Sequence, residues 1–194
     1  MIDGTIAIIG RPNVGKSTLF NRLIKTRLSI VDDQPGVTRD RIYFDVEWQN
    51  KQFTVIDTGG IIPGDEDEIM LNIFTQAKVA CEEADKIIFI VDGKEGITTN
   101  DIVVRDMLRK TDKKVIVAIN KVDSKASNEH MYDFYELGFD SYIPISAEHN
   151  TGIYELLDEI TKDFREYEKE DEDDSKTETT MEKVEEIENK GYEH

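Results

Sequence analysis

The segment Gly10–Ser17 constrains the fold of this chain more than any other part of the sequence. It reads Gly-Arg-Pro-Asn-Val-Gly-Lys-Ser and matches the pattern G-x-x-x-x-G-K-[ST] without departure. A β-branched run, Thr5–Ile9, precedes it, and a helical pattern over Gly15–Lys25 follows it. This strand–loop–helix order is the context that the pattern requires. We therefore predict a phosphate-binding loop between the first strand and the first helix.

The residues of this loop have distinct tasks at a phosphate group. Gly10 and Gly15 let the backbone wrap closely enough to aim N–H groups at phosphate oxygens, and the following helix presents its positive end to the same anion. Lys16 supplies a cation for the β and γ phosphates, and the Ser17 hydroxyl is placed to ligate Mg²⁺. The nucleoside triphosphate is expected to contact Gly10, Arg11, Pro12, Asn13, Val14, Gly15, Lys16, Ser17 and Thr18. The alternative is a glycine turn with a chance Lys-Ser pair.

Short runs rich in Ile and Val recur along the chain, each followed by a longer helical pattern. Strands are predicted at Thr5–Ile9, Phe53–Ile56, Lys86–Val91, Lys114–Ile119 and Ser141–Ile145, and helices at Gly15–Lys25, Glu68–Glu83, Thr99–Lys110, Asn128–Leu137 and Gly152–Tyr167. Arg41–Trp48 alternates between apolar and polar residues, so it is predicted as the outer arm of an antiparallel hairpin. These patterns predict an α/β chain with the three-layer P-loop NTPase fold: a mostly parallel six-stranded sheet, one antiparallel edge strand and helices on both faces.

The charge of the chain is concentrated at its carboxyl end. The 194 residues include 24 Lys and Arg and 42 Asp and Glu, a net charge of -18. Residues 166–194 alone hold 13 of the acids and 4 of the bases. We therefore predict one globular domain over residues 1–165, which includes the phosphate-binding loop, and an acidic, disordered tail or interdomain linker over residues 166–194.

Composition also excludes several classes of protein. No apolar run approaches the roughly 18 residues of a membrane span, and the first residues lack the basic start of a signal peptide. The single cysteine, Cys81, excludes an internal disulfide and fits a reducing compartment. The acidic balance argues against direct nucleic-acid binding by this chain. We expect a cytoplasmic monomer without membrane contact.

A second motif predicts which base is bound. Asn120, Lys121, Val122 and Asp123 follow the strand Lys114–Ile119. A carboxylate here can accept hydrogen bonds from guanine N1–H and the exocyclic amine, whereas adenine has no N1 proton and would leave the carboxylate without a partner. Further along, Ser146 and Ala147 end another strand, and the Ala147 N–H could donate to guanine O6. These residues predict GTP or GDP as the ligand.

A third group of residues is predicted to sense the γ-phosphate. Asp57 ends the strand Phe53–Ile56 and can hold Mg²⁺ through water, and Gly60 can offer a backbone N–H to the phosphate. Thr38, in the polar segment before the hairpin, could complete the Mg²⁺ shell only when that segment folds over the nucleotide. The nucleotide contacts expected here are Asp57, Thr58, Gly59, Gly60 and Ile61.

These motifs resemble the Era, MnmE and Der group of GTPases. The stretch Gly10–Asn21, together with Gly36–Asp40 and Asp57–Gly60, is most similar to the first GTPase domain of the Der (EngA) family. The resemblance extends from residue 1 to about residue 165. Members of that family continue past an acidic linker into a second GTPase domain and an RNA-binding domain, so we expect a longer tandem-GTPase protein.

The resemblance implies a function and a mode of catalysis. It implies GTP hydrolysis in assembly of the large ribosomal subunit, which would be bound through domains outside this chain. Ile61 stands where many regulatory GTPases have a glutamine that orients water, and related proteins with Asn at position 13 bind K⁺ there. The resemblance therefore implies Asn13 as a K⁺ ligand, and Lys16, Thr38, Asn13 and Gly60 as the catalytic set. For Asn13 the alternative is a side chain that only stabilises the loop.

Other functions share parts of this pattern. A small-molecule kinase would use ATP and the same phosphate loop, but has no reason to carry Asn120 and Asp123 at this spacing. A docking module would use nucleotide state to control binding, with negligible turnover in isolation. A single-domain GTPase of the Era or MnmE type would act on another partner.

Overall fold

A computed structural model describes residues 4–25, 42–58, 66–123 and 131–166 of the chain. The predictions made for Thr38, Gly59, Gly60 and Ile61 lie outside these residues, as does the prediction for the acidic tail beyond Glu166. The domain boundary at residue 165 stays a prediction.

The sheet has the predicted architecture. Its strands are β1 (Thr5–Ile9), β2 (Ile42–Trp48), β3 (Lys51–Asp57), β4 (Lys86–Asp92), β5 (Lys114–Asn120) and β6 (Ser141–Pro144). They form a six-stranded sheet in the order β2-β3-β1-β4-β5-β6. Only β2 runs antiparallel within it, and it lies at one edge. The predicted fold class is therefore confirmed for the part of the chain that the structure describes.

Helices cover both faces of the sheet because the strands are apolar on both sides. The helices are α1 (Lys16–Lys25), α2 (Glu66–Glu83), α3 (Thr99–Leu108) and α4 (Ile153–Thr161), and a 3₁₀ helix spans Met131–Leu137. One hydrophobic cluster joins α1 and α4 to one face of the sheet. A second cluster joins α2, α3 and the 3₁₀ helix to the opposite face. No helix among the described residues is long and apolar enough to cross a membrane.

The hairpin between β2 and β3 is tighter than predicted. Gln49 and Asn50 have φ angles of +49° and +60°, and two consecutive positive φ angles are typical of the type I′ turn of two-residue hairpins. Trp48 therefore pairs directly with Lys51, and β3 begins at Lys51 instead of Phe53.

Two predicted helices differ in the structure. The segment Met131–Leu137 is a 3₁₀ helix instead of part of an α-helix. Its buried residues are Phe134 and Leu137, and side chains three positions apart align in a 3₁₀ helix, so both reach the core. Gly138, with φ +72°, then ends the helix.

The end of α4 lies at Thr161, six residues before the predicted end at Tyr167. Two lysines from the sheet donate hydrogen bonds to the last carbonyls of α4. Lys86 Nζ donates to the Ile160 carbonyl at 2.7 Å, and Lys51 Nζ donates to the Thr161 carbonyl at 3.1 Å. The Phe164 N–H closes a tighter turn onto the same Thr161 carbonyl at 2.9 Å. Partners from distant strands thus end the helix, which the apolar stripe of α4 could not reveal.

Candidate nucleotide-binding site

The predicted site residues that the structure describes come together at the carboxyl end of the parallel strands. The phosphate loop follows β1, Thr58 follows β3, Lys121 follows β5, and Ser146 lies just after β6. Loops at this edge of an open α/β sheet are where ligands bind. The sequence motifs therefore converge at one edge of the sheet.

Two positions of the phosphate loop require glycine because neighbouring atoms lie too close for a side chain. A Cβ atom at Gly10 would lie 2.6 Å from the Ile90 carbonyl oxygen, a distance that forbids any side chain. Gly15 has a φ of +102°, and a Cβ atom there would collide with the side-chain amide of Asn120. The loop is thus held against β4 on one side and against the base-binding motif on the other.

Lys16 lies folded along the loop that precedes it. Its Nζ donates to the carbonyls of Gly10 and Arg11, both at 2.8 Å. Burial lowers the pKa of Lys16 to about 8. The negative charge of Asp57 raises this pKa, and the positive charge of Arg11 lowers it further. An anion bound in the loop would offset this desolvation, because phosphate oxygens would replace the water that the ammonium has lost.

Asp57 and Thr58 end the strand next to the phosphate loop. Asp57 pairs with Ile8 in the sheet and is buried. The Thr58 hydroxyl donates to the Ile8 carbonyl at 2.6 Å, which fixes the backbone of this strand end. Thr58 is therefore a structural link between β3 and β1.

The arrangement of acids and hydroxyls fits Mg²⁺ bound together with phosphate. Ser17, at the start of α1, is exposed. Within the described residues, no group of three or more His, Cys, Asp or Glu side chains could hold a metal ion alone. Mg²⁺ in proteins is commonly held by one or two protein oxygens plus substrate phosphates, and the Ser17 hydroxyl and the Asp57 carboxylate are oxygen ligands of this kind.

Asn120 joins the two halves of the site. Its Nδ2 donates to the Val14 carbonyl at 2.8 Å, and its Oδ1 accepts from the Ala147 N–H at 3.0 Å. Since Asn120 is buried, both bonds are made in a region without water. The predicted role of Asn120 as a tie between loops agrees with this geometry.

The other residues of the base-binding motif are also fixed by hydrogen bonds, two of them through their side chains and Val122 through its backbone. Lys121 Nζ donates to the Asn13 carbonyl at 2.8 Å and to Asp92 Oδ2 at 2.5 Å. Asp123 Oδ1 accepts from the Ser146 hydroxyl at 2.6 Å. Val122 donates its backbone N–H to the Ile145 carbonyl at 3.1 Å, which holds the loop after β5 against the one after β6.

Three functional contacts were missed by the sequence reasoning. Arg22 of α1 donates to the Ala147 carbonyl at 2.7 Å and to the Glu148 carbonyl at 2.5 Å, so it fixes the loop that would face guanine O6. Asp92 holds Lys121. Its position at the carboxyl end of a buried strand is the same signal that identified Asp57, whereas Arg22 is one of several polar residues on α1 and gives no such signal.

The third missed contact involves Arg11, which the sequence assigned only to nucleotide contact. Its Nε lies 3.2 Å from Asp101 Oδ2 and its Nη2 lies 2.7 Å from Glu95 Oε2. Asp101 is fully buried in the first turn of α3, where its Oδ2 also accepts from the backbone and hydroxyl of Thr98. The Arg11 side chain thus ties the phosphate loop to α3.

Comparison with known sequences identifies the family. Residues 5–121 match the model of the family described as 50S ribosome-binding GTPase. The chain belongs to this family. Its curated relatives include a GTPase Der from Alkaliphilus oremlandii, 56% identical over 159 residues, covering 82% of this chain and 36% of that protein. A GTPase Der from Finegoldia magna is 49% identical over 181 residues, covering 93% of this chain and 41% of its own length.

These relatives confirm the resemblance to the Der group that the motifs indicated. The chain spans about two fifths of the length of these relatives, 36% of the first and 41% of the second. Membership of the family is therefore shown for this chain.

Two solved structures illustrate the similarity of the fold. Era bound to MgGDPNP and nucleotides 1506–1542 of 16S ribosomal RNA has a TM-score of 0.67 and 31% identity, covering 87% of this chain and 59% of that chain. The FeoB G-domain from Methanococcus jannaschii has a TM-score of 0.58 and 26% identity, covering 84% of this chain and 97% of that chain. The match thus covers nearly the whole of that G domain.

Proposed function

We propose that this domain binds GTP and GDP with Mg²⁺ and hydrolyses GTP to GDP and phosphate. The observation that carries the proposal is the position of Asn120, whose amide joins the Val14 carbonyl of the phosphate loop to the Ala147 N–H. One side chain thus sets the distance between a triphosphate site and a guanine-reading site. A protein that binds phosphate alone has no need of this link.

Each residue has a role in this proposal. Lys16 leaves the carbonyls of Gly10 and Arg11 to contact the β and γ phosphates, and the Ser17 and Thr38 hydroxyls hold Mg²⁺, with Asp57 acting through water. Mg²⁺, when bound, neutralises charge on the β and γ oxygens. Gly60 donates its N–H to the γ-phosphate.

The base is read at the other end of the site. Asp123 accepts from guanine N1–H and the exocyclic amine, and Ala147 donates to O6. Since Ala147 also donates to Asn120 in this structure, the guanine oxygen would share that N–H. The remaining contacts of the proposed site are those predicted for the phosphate loop and for Thr58, Gly59, Ile61, Lys121, Val122 and Ser146.

Potassium stimulation is a further part of the proposal. Asn13 is exposed, has a φ of +64°, and its carbonyl is fixed by Lys121 Nζ. A loop residue held in this way can present its side-chain oxygen to a monovalent cation near the phosphates. Such a cation would supply the positive charge that an arginine finger supplies elsewhere.

In the cell, we place this activity in assembly of the large ribosomal subunit, in the cytoplasm, as part of a longer tandem-GTPase protein. The family description and the lengths of the Der relatives support this assignment. A docking module with negligible turnover in isolation is the second candidate, and it is supported by the absence of a water-orienting glutamine at Ile61.

Two measurements test the proposal. Unlabelled GTP should displace a fluorescent GDP analogue from the protein, and ATP should not; equal displacement by ATP would refute the guanine assignment. Phosphate release from GTP is then measured in KCl and in NaCl at matched ionic strength. Equal rates remove the potassium role, and no turnover in either salt favours the docking module.

A further inference from the structure

The turn between β4 and α3 contacts both halves of the nucleotide site. This β4–α3 turn comprises residues 92–95. Asp92 Oδ1 accepts the N–H groups of Lys94 and Glu95, at 2.9 and 3.1 Å, and Asp92 Oδ2 accepts from Lys121. Glu95 in turn binds Arg11 of the phosphate loop. The buried Asp92 carboxylate therefore fixes the direction in which the turn presents its side chains.

Lys94 reaches from this turn to the residue that reads the base. Its Nζ lies 2.5 Å from Asp123 Oδ2, while the Ser146 hydroxyl lies 2.6 Å from Asp123 Oδ1. Each carboxylate oxygen thus has one donor, and the two donors come from different loops. The Lys94 side chain is 57% exposed and the Asp123 side chain 22% exposed, so the contact lies at the mouth of the site.

The number of acceptor positions on Asp123 agrees with a guanine bound in addition to these donors. An ionised carboxylate has about four lone-pair positions. Lys94 and Ser146 take one on each oxygen, and one remains on each. Guanine offers two donors on the same edge, N1–H and the exocyclic amine, which the two remaining positions can accept together.

We propose that Lys94 is a specificity-determining residue that orients the Asp123 carboxylate for guanine. This inference rests on the proposed function, because it assigns a role within the guanine-reading site. Lys94 acts through Asp123 and is a positioning residue. With Ser146 alone, one carboxylate oxygen is fixed and the other can rotate away from the plane of the base.

The electrostatic environment agrees with this role. The hydrogen bond from Lys94, then the hydrogen bond from Ser146, and after them the charge of Lys94 lower the pKa of Asp123, whereas the hydrogen bond to Asp123 raises the pKa of Lys94. Asp123 therefore stays ionised, which is the form that accepts both guanine donors.

The test compares lysine variants by isothermal titration of the Mg²⁺-containing full chain with GDP. Lys94→Met should weaken GDP binding about three- to fivefold, the range expected when an exposed ion pair is removed. Lys94→Arg should retain most of the affinity. Lys110→Met is the matched control, because Lys110 is also exposed and its side chain makes no hydrogen bond or ion pair with another described residue; GDP binding should be unchanged.

A double-variant cycle separates action through Asp123 from other effects. In Asp123→Asn the amide would donate to the C2 carbonyl of xanthine, so xanthosine diphosphate becomes the probe. Lys94→Met in this background should leave xanthosine diphosphate binding unchanged or stronger, because no carboxylate remains to be oriented. The same loss in both backgrounds would overturn the proposal.

The remaining outcomes also decide the question. Tighter GDP binding by Lys94→Met would show that Lys94 competes with the base, and unchanged binding would show that it has no role; either result overturns the proposal. If Asp123→Asn binds neither nucleotide, the comparison of Lys94→Met with Lys94→Arg decides alone. Absence of GDP binding by the unaltered protein would instead refute the proposed function.

Discussion

The side chain of Asn120 donates to the carbonyl of Val14 at 2.8 Å across 106 positions of the chain. Asn120 belongs to the motif that reads the base, and Val14 belongs to the loop that binds phosphate. Through its Oδ1, the same side chain also holds the Ala147 N–H. The two ends of the nucleotide site are therefore joined by the hydrogen bonds of one side chain.

Replacement of Asn120 by alanine should disrupt both ends of the site. It would leave the Val14 carbonyl and the buried Ala147 N–H without their partners, and each such loss costs about 1–3 kcal/mol. We expect the free energy of unfolding, measured by urea denaturation, to fall by about 2–4 kcal/mol, and GDP binding to weaken strongly. Asn100→Ala, on the surface of α3, is the control and should change neither quantity. Normal GDP affinity in Asn120→Ala would contradict the proposed link.

Local sequence patterns were sufficient to predict the fold because each strand and helix carries its own signal. The run Thr5–Ile9 is mostly apolar and β-branched, and the structure has β1 at the same residues. Asp57 and Asn120 were predicted to lie near the phosphate loop because parallel strands end at one edge. The same reasoning could not predict which side chains meet across loops.

The contacts that were missed join residues far apart in the sequence. Arg22 and Ala147 are 125 positions apart, and Arg11 and Asp101 are 90 apart. Their pairing depends on how the loops pack, which no local pattern encodes. The early end of α4 has the same origin, because Lys51 and Lys86 reach its carbonyls from distant strands.

Gly15 should be intolerant of any side chain, and Gly96 provides a matched control. Both have positive φ angles, +102° and +80°, but a Cβ atom at Gly96 would have open space around it, whereas one at Gly15 would meet Asn120. Both alanine variants share the backbone strain. Gly15→Ala should therefore be less stable than Gly96→Ala by about 1–3 kcal/mol, the usual effect of overpacking, and should bind GDP at least about tenfold more weakly. Equal stability and affinity of the two variants would contradict the close approach.

The pH dependence of GDP binding should report on Lys16. Burial lowers the pKa of Lys16 to about 8 from an ordinary value of 10.5. Between about pH 8 and 10.5 the unfolded chain therefore binds more protons at this lysine than the folded domain does. The free energy of unfolding of the nucleotide-free domain should rise with pH over this range. Bound phosphate should raise the pKa again, so binding takes up a proton above about pH 8. Affinity should be level below that pH and fall by up to about tenfold per pH unit above it.

Lys16→Met tests this assignment in the same titrations. It should bind GDP more weakly and lack the additional decline above about pH 8. Titration of guanine itself affects both proteins equally, so the difference between them isolates the lysine. Parallel pH profiles for the two proteins would show that Lys16 does not titrate on binding.

A chain that ends at Glu166 should fold and bind GDP as the full chain does. The described residues of both hydrophobic clusters lie between Ile6 and Phe164, and the acidic segment would add mainly charge of the same sign as the domain. We expect thermal unfolding of this shorter chain at the same temperature or slightly higher, with unchanged GDP affinity in calorimetry.

A chain that ends at Lys162 provides the contrast. It would lack Phe164, whose ring lies 5.9 Å from that of Phe53 and 4.4 Å from Lys86 Nζ. It would also lack Asp163, the ion-pair partner of Lys86 at 3.3 Å. Loss of the ring should cost up to about 1.5–3 kcal/mol, which for a domain of this size lowers the unfolding temperature by roughly 3–10 °C. If the chain ending at Glu166 lost as much stability as this one, the predicted domain boundary at residue 165 would be wrong.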